Sequence, residues 1–269
     1  DAKYAIDDSQ TDPAITLNYH WHENLITYAS WGRAYRSGGV SSRSLTMQSF
    51  AREEVSTSEL GLKMEGWERR LRFNLALFTT DFDGMFIDTL DPTDVTIAET
   101  INAANTVEVR GFEFDLTLRP IEGLTLGINY TYLDGNMPLQ PNPLAGGALE
   151  SFQLTQTPKH AGAMTLDYRF PSLAIGSLTG HVGITSTDKY HHYHSRGTAT
   201  PDSYTLLDAR LILTDIPLAG DKGNLTVSLW GKNLADEEYV IGSFYYEDIT
   251  TTQAFGDPRT AGLDLMYQF

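Results

Sequence analysis

The sequence predicts an all-β chain, a transmembrane antiparallel β-barrel with about eleven strands present. Three observations carry this. Segments of alternating polarity recur from end to end. Most have about the 9–13 residues that suit a tilted strand crossing a bilayer. Short turns alternate strictly with long loops, as in barrels with short turns at one membrane face and long loops at the other. No run of about 18 apolar residues exists, so no transmembrane helix is expected. A soluble β-sandwich could show the same alternation; segment length and loop alternation favour the barrel.

The first strand pair covers residues 15–21 and 25–35. Ile15, Leu17, Tyr19 and Trp21 share one face and Thr16, Asn18 and His20 the other, since successive strand side chains point to opposite sides. The second member alternates poorly and its faces are not assigned. A loop over 36–52 follows. The second pair is 56–65 and 70–80, where Leu71, Phe73, Leu75 and Leu77 oppose Arg72, Asn74, Ala76 and Phe78. Residues 81–105 then form a long acidic segment without a basic residue. The third pair is the clearest: Phe112, Phe114, Leu116 and Leu118 oppose Glu113, Asp115, Thr117 and Arg119, and Leu124, Leu126, Ile128, Tyr130 and Tyr132 follow the turn. The fourth pair is 159–170 and 178–190, the fifth 203–214 and 224–234. The closing strand sets Ala261, Leu263, Leu265, Tyr267 and Phe269 against Thr260, Gly262, Asp264, Met266 and Gln268. The charged mid-strand residues would line a wet lumen and pair across strands.

The 269 residues carry 35 Asp+Glu against 19 Lys+Arg, a net charge of −16, which argues against a nucleic-acid binder, since that needs a basic face. There is no cysteine, hence no disulfide framework or thiolate metal site. If the last strand and the first both run the same way, they cannot pair antiparallel. An open sheet in lipid would leave its edge amides unsatisfied. The expectation is that further strands precede Asp1 and that the closing strand pairs with one of them.

Four motifs in order resemble the TonB-dependent outer-membrane receptors. Asp12-Pro13-Ala14-Ile15-Thr16-Leu17-Asn18-Tyr19 with Tyr28-Ala29-Ser30-Trp31-Gly32-Arg33-Ala34-Tyr35-Arg36-Ser37-Gly38-Gly39 resembles their mid-barrel strands. Val109-Arg110-Gly111-Phe112-Glu113-Phe114 resembles a recurrent strand start. Gly231-Lys232-Asn233-Leu234-Ala235-Asp236-Glu237-Glu238-Tyr239 and Gly256-Asp257-Pro258-Arg259-Thr260-Ala261-Gly262 are similar to their NL-x-D-x-x-Y segment and their ending. The resemblance implies a barrel of about 22 strands around a plug, of which residues 1–269 would be the C-terminal half, with the plug absent. It further implies a bacterial outer-membrane location, contact with outer-membrane lipid, and energy-coupled uptake of a scarce solute such as a ferric siderophore, cobalamin or an oligosaccharide. A TonB-type energy-transducing protein would engage through the missing N-terminal part.

Tyr190-His191-His192-Tyr193-His194 holds three of the seven histidines in a predicted external loop. Imidazoles suit a metal or metal chelate. Their spacing fits no compact metal site, and no carboxylate lies adjacent. His191, His192, Tyr193 and His194 are therefore candidate contacts for a small-molecule or metal-chelate ligand, with no metal site and no cofactor assigned. Asp81-Phe82-Asp83-Gly84 lacks the later oxygen ligands of a calcium loop. No nucleophile elbow and no phosphate loop occur, and the family resemblance implies a transporter rather than an enzyme. The alternative function is a passive porin-like channel, distinguished by lacking a plug; a barrel enzyme would be marked by a serine-directed probe.

Overall fold

The computed structural model describes residues 9–41, 47–91, 94–194, 200–217, 223–246 and 250–269. Eleven strands form one antiparallel sheet in sequence order. They are β1 (Ala14–His22), β2 (Leu25–Arg36), β3 (Glu53–Gly66), β4 (Leu71–Asp83), β5 (Val107–Leu118), β6 (Leu124–Asn136), β7 (His160–Arg169), β8 (Ser177–Thr187), β9 (Tyr204–Pro217), β10 (Asn224–Lys232) and β11 (Thr260–Gln268). β3 and β4 run longer than the alternation alone marks, and β8 stops at Thr187, which leaves residues 188–190 in the loop.

Register keeps every apolar row on one face. Leu71, Leu118, Leu126, Leu166, Val182, Ala209, Gly231 and Ala261 stand opposite one another in succession across β4 to β11. A slip of one residue at any seam would send that row to the other side, so the pattern and the register fix each other. Beside it, Leu77, Phe112, Tyr132 and His160 form a second row. Phe112 and Tyr132 stack at 5.6 Å and Tyr132 meets His160 at 5.3 Å, a local aromatic girdle. Among the described residues no second layer covers this face. Leu17 and Leu265 are 67% exposed and Leu263 60%, which a sandwich would bury and a lipid-facing wall would not.

The opposite face is polar and internally paired. The Tyr28 hydroxyl donates to Glu59 at 2.6 Å, and Asn74 donates to Asp115 at 2.9 Å. His181 donates from Nδ1 to Asp167 at 2.7 Å, and Arg210 donates to Ser228 at 2.6 Å and lies 3.5 Å from Asp264. Arg119 falls one residue past β5 rather than inside it. Tyr28 also explains the unreadable second strand. It stands on the polar face, and its ring lies over Gly61, where a Cβ would come within 2.1 Å. Ile26 and Tyr28 point inward while Leu25, Thr27, Ala29 and Trp31 point outward.

Short turns join β1–β2, β3–β4, β5–β6, β7–β8 and β9–β10; long loops join the rest. Four long loops contain hairpins of their own: Gly39–Val40 with Ser49–Phe50, Phe86–Asp91 with Asp94–Asn102, Gln140–Asn142 with Ala148–Glu150, and Val240–Tyr246 with Thr250–Phe255. The acidic segment 81–105 is thus an extension of β4 followed by a hairpin, not an unstructured loop.

Candidate functional site in the long-loop layer

Of the buried apolar residues described, all but Ala76 lie in the loop layer or at the strand end beneath it. Ile87, Ile101, Ala103, Val107 and Phe152 form one cluster, with Phe82, Met85, Met137, Leu144 and Leu154 packed around it. A single-layer sheet has no interior, so the loops build the core that the wall cannot. Burying each large side chain there contributes about 1.5–3 kcal/mol.

Polar stitches tie neighbouring loops. Asn102 accepts from Ala51 N at 2.7 Å and donates to Ala51 O at 3.0 Å and Gly84 O at 2.8 Å, joining the first loop to the second. Gln140, fully buried, accepts from Asn105 N at 2.8 Å and donates to Asn105 O at 3.1 Å, joining the second to the third. The fourth loop joins the third by a parallel bridge between Thr155 and His191, with Gln153 N and Gln156 N donating to the carbonyls of His194 and His191. Phe86 N donates to Glu53 at 2.7 Å, which pins the acidic hairpin to the base of β3.

The four sequence candidates thus fall in this layer as one bent segment that meets residues 153–156 through His191 and His194. His194 Nδ1 donates to the Gln153 carbonyl at 2.8 Å, which leaves Nε2 as its free basic nitrogen. His191 Nδ1 lies 3.2 Å from the Thr200 hydroxyl. The His192 ring meets Tyr190 edge-on at 4.8 Å, and its Nε2 is buried without a hydrogen bond. Burial lowers the pKa of all three imidazoles; Lys189 pushes His191 the same way, while the carboxylates of Asp88 and Glu53 partly oppose the shift at His194. Neutral imidazoles are the form that ligates soft or borderline metals and their chelates. No three His, Asp or Glu side chains gather as a metal site among the described residues. The sequence showed no carboxylate near the histidines; the fold brings Asp88 and Glu53 close enough to act on His194. Asn102, Gln140 and Gln153 carry no sequence signal, because their partners lie in other loops.

The fifth loop is closed by a clasp between two of the motifs. Asn233 accepts at Oδ1 from Glu237 N at 2.9 Å and donates to Glu237 O at 2.8 Å and Asp257 O at 3.1 Å; its own N–H donates to Asp208 at 2.8 Å. Asp236 accepts from Arg259 N and pairs with its guanidinium at 3.1 Å. The Tyr239 ring lies over Gly256, where a Cβ would come within 2.0 Å. The Asn–Asp–Tyr and Gly–Arg patterns are two halves of one joint that sets β10 against β11.

Residues 2–234 match the TonB dependent receptor-like, beta-barrel family. The chain belongs to that family. It is accordingly a bacterial outer-membrane protein and part of a receptor barrel, and the family is one of transporters rather than enzymes. Among solved structures it is similar to the ferric yersiniabactin uptake receptor FyuA from Yersinia pestis, at 16% identity over 95% of this chain and 37% of that one, with a TM-score of 0.73. The siderophore receptor PiuA from Acinetobacter baumannii matches at 20% identity over 94% and 35%, TM-score 0.69. The ferripyoverdine receptor of Pseudomonas aeruginosa matches at 19% identity over 97% and 33%, TM-score 0.66. The receptor barrel described here spans about a third of the length of these solved receptors.

Proposed function

We propose that this barrel serves energy-coupled uptake of a scarce solute across the outer membrane, with a ferric chelate as the favoured class over cobalamin or an oligosaccharide. The carrying observation is the stitched loop layer, whose core and cross-loop hydrogen bonds hold His191, His192, Tyr193 and His194 at one place on the long-loop side. Neutral imidazoles beside tyrosines offer donors, acceptors and aromatic edges to a metal chelate. The class is supported by the receptors named above, which are receptors for ferric yersiniabactin, a siderophore and ferripyoverdine. Coupling would come from a TonB-type partner engaging a part of the receptor outside these eleven strands, with the plug lying there too.

Binding tests this directly. The receptor in detergent is titrated with a panel of ferric chelates while its tryptophan fluorescence is followed. The expected result is saturable binding of at least one chelate, weakened at least about 10-fold by His191→Ala, His192→Ala and His194→Ala together. Equal affinity in wild type and variant would remove the histidine segment from the site. Saturable binding of cobalamin or an oligosaccharide alone would overturn the chelate class.

A further inference from the structure

The outer face of the wall changes chemistry abruptly at its long-loop end, and solute capture makes no use of the change. Ala29, Leu60, Leu77, Phe112, Tyr132 and His160 stand opposite one another across β2 to β7 and end the apolar band. Two residues nearer the long loops, on the same face, the row is Trp31, Ser58, Thr79, Arg110 and Asp134. The next is Arg33, Ser56, Asp81, Glu108 and Asn136. An apolar, a mixed polar and a mainly charged row thus follow one another at intervals of about 6.6 Å.

Residues of the first two rows, with Glu108 from the third, line one concavity of about 760 Å³. Among the described residues Arg110 is the only cation in that lining. Its guanidinium lies 3.7 Å from Asp134 and 3.8 Å from Glu108. Those distances are within ion-pair range but too long for hydrogen bonds, so its N–H donors are not spent on either carboxylate. The Thr79 hydroxyl donates to Glu108 only at 3.4 Å.

We propose that this concavity seats a phosphorylated glycolipid of the outer leaflet. Its acyl chains lie on Leu60, Leu77 and Phe112, a phosphate meets the Arg110 guanidinium, and sugar hydroxyls donate to Glu108 and Asp134. A lipid is the occupant because the concavity continues the lipid-facing wall of an outer-membrane protein, at the end where long loops face outward. The charges choose the head. Two carboxylates beside one guanidinium repel a bare anion. Sugar hydroxyls give those carboxylates hydrogen bonds, while the phosphate makes a charge-assisted contact with Arg110. Width then chooses among lipids. From Ser58 to Asp134 the row crosses three strand spacings, roughly 14 Å. A glycerol phosphodiester head covers part of that, and a disaccharide head carrying several chains covers it all. Trp31, at the end of the row, and Tyr132, one row below, mark the interfacial level where amphipathic rings settle. The inference stands independently of which solute the receptor carries.

The test is native mass spectrometry of the purified receptor in detergent, titrated with a bisphosphorylated disaccharide glycolipid. The expected result is saturable binding, with the Kd of the tightest step raised at least about 10-fold by Arg110→Gln and largely restored by Arg110→Lys. The dephosphorylated glycolipid should bind wild type and Arg110→Gln equally weakly. Phosphatidylethanolamine, a phosphate head without sugar, should bind wild type at least about 10-fold more weakly than the glycolipid. Glu108→Ala with Asp134→Ala should also weaken glycolipid binding, because hydroxyl acceptors are lost. Migration of unboiled samples as folded barrels shows that the variants retain the wall. An unchanged Kd in Arg110→Gln, equal binding of the dephosphorylated glycolipid to wild type, a preference for phosphatidylethanolamine, or tighter binding once the two carboxylates are removed would each overturn the proposal.

Discussion

Asn233 joins the end of β10 to two separate stretches of the last loop, and it does so with a positive φ of 47°. Asn233→Ala removes three side-chain hydrogen bonds in a buried setting, and the expected cost is about 2–4 kcal/mol. The check is the denaturant midpoint for loss of the folded band in unboiled gels. Gly256→Ala drives a methyl group into the Tyr239 ring. It should destabilise the same joint, and Tyr239→Ala should relieve much of that penalty, so the two changes are non-additive in a double-mutant cycle. Both motifs were legible in the sequence as motifs, but their contact was not, since roughly twenty residues of loop separate them. The Tyr28–Gly61 fit was hidden for a related reason. A large aromatic on the wet side breaks the alternation, and only the opposite glycine explains it.

At the level of elements, the strands were readable because one face meets lipid and the other meets water, and period two records that contrast directly. The loop hairpins were not. On Phe86–Asp91 and Asp94–Asn102 the buried side mixes Ile87 and Ile101 with Thr89 and Glu99, so its alternation resembles none of the expected patterns. Phe152→Ala empties the middle of the loop core and should cost about 3–5 kcal/mol of local stability. Hydrogen exchange should quicken at 86–102 and 151–156 while the strand amides of β5 and β6 stay protected. The histidine segment adds a pH dependence. Burial lowers the folded pKa of His191, His192 and His194, so the opened loop binds protons more readily than the closed one. That stability is complete above the ordinary imidazole value near 6.5 and is lost as pH falls through the lowered folded values. Protection factors at 191–194 and 153–156, taken relative to the intrinsic exchange rate at each pH, should therefore fall on acidification, and His194→Gln should flatten the response.

For the whole molecule, topology sets a constraint that no local change can lift. In an antiparallel sheet of eleven strands, β1 and β11 run the same way. They cannot close on each other antiparallel. That parity was available from the sequence as soon as the strands were counted. What the loops hold was not, because ligand contacts depend on which loops the buried amides bring together. The central claim is energy-coupled uptake, and the most direct measurement is the initial rate of ferric-chelate entry into cells bearing this receptor, with and without a protonophore. Saturable uptake that collapses when the protonophore is added is the predicted result. Uptake rising linearly with concentration and indifferent to the protonophore would contradict it and leave a passive channel.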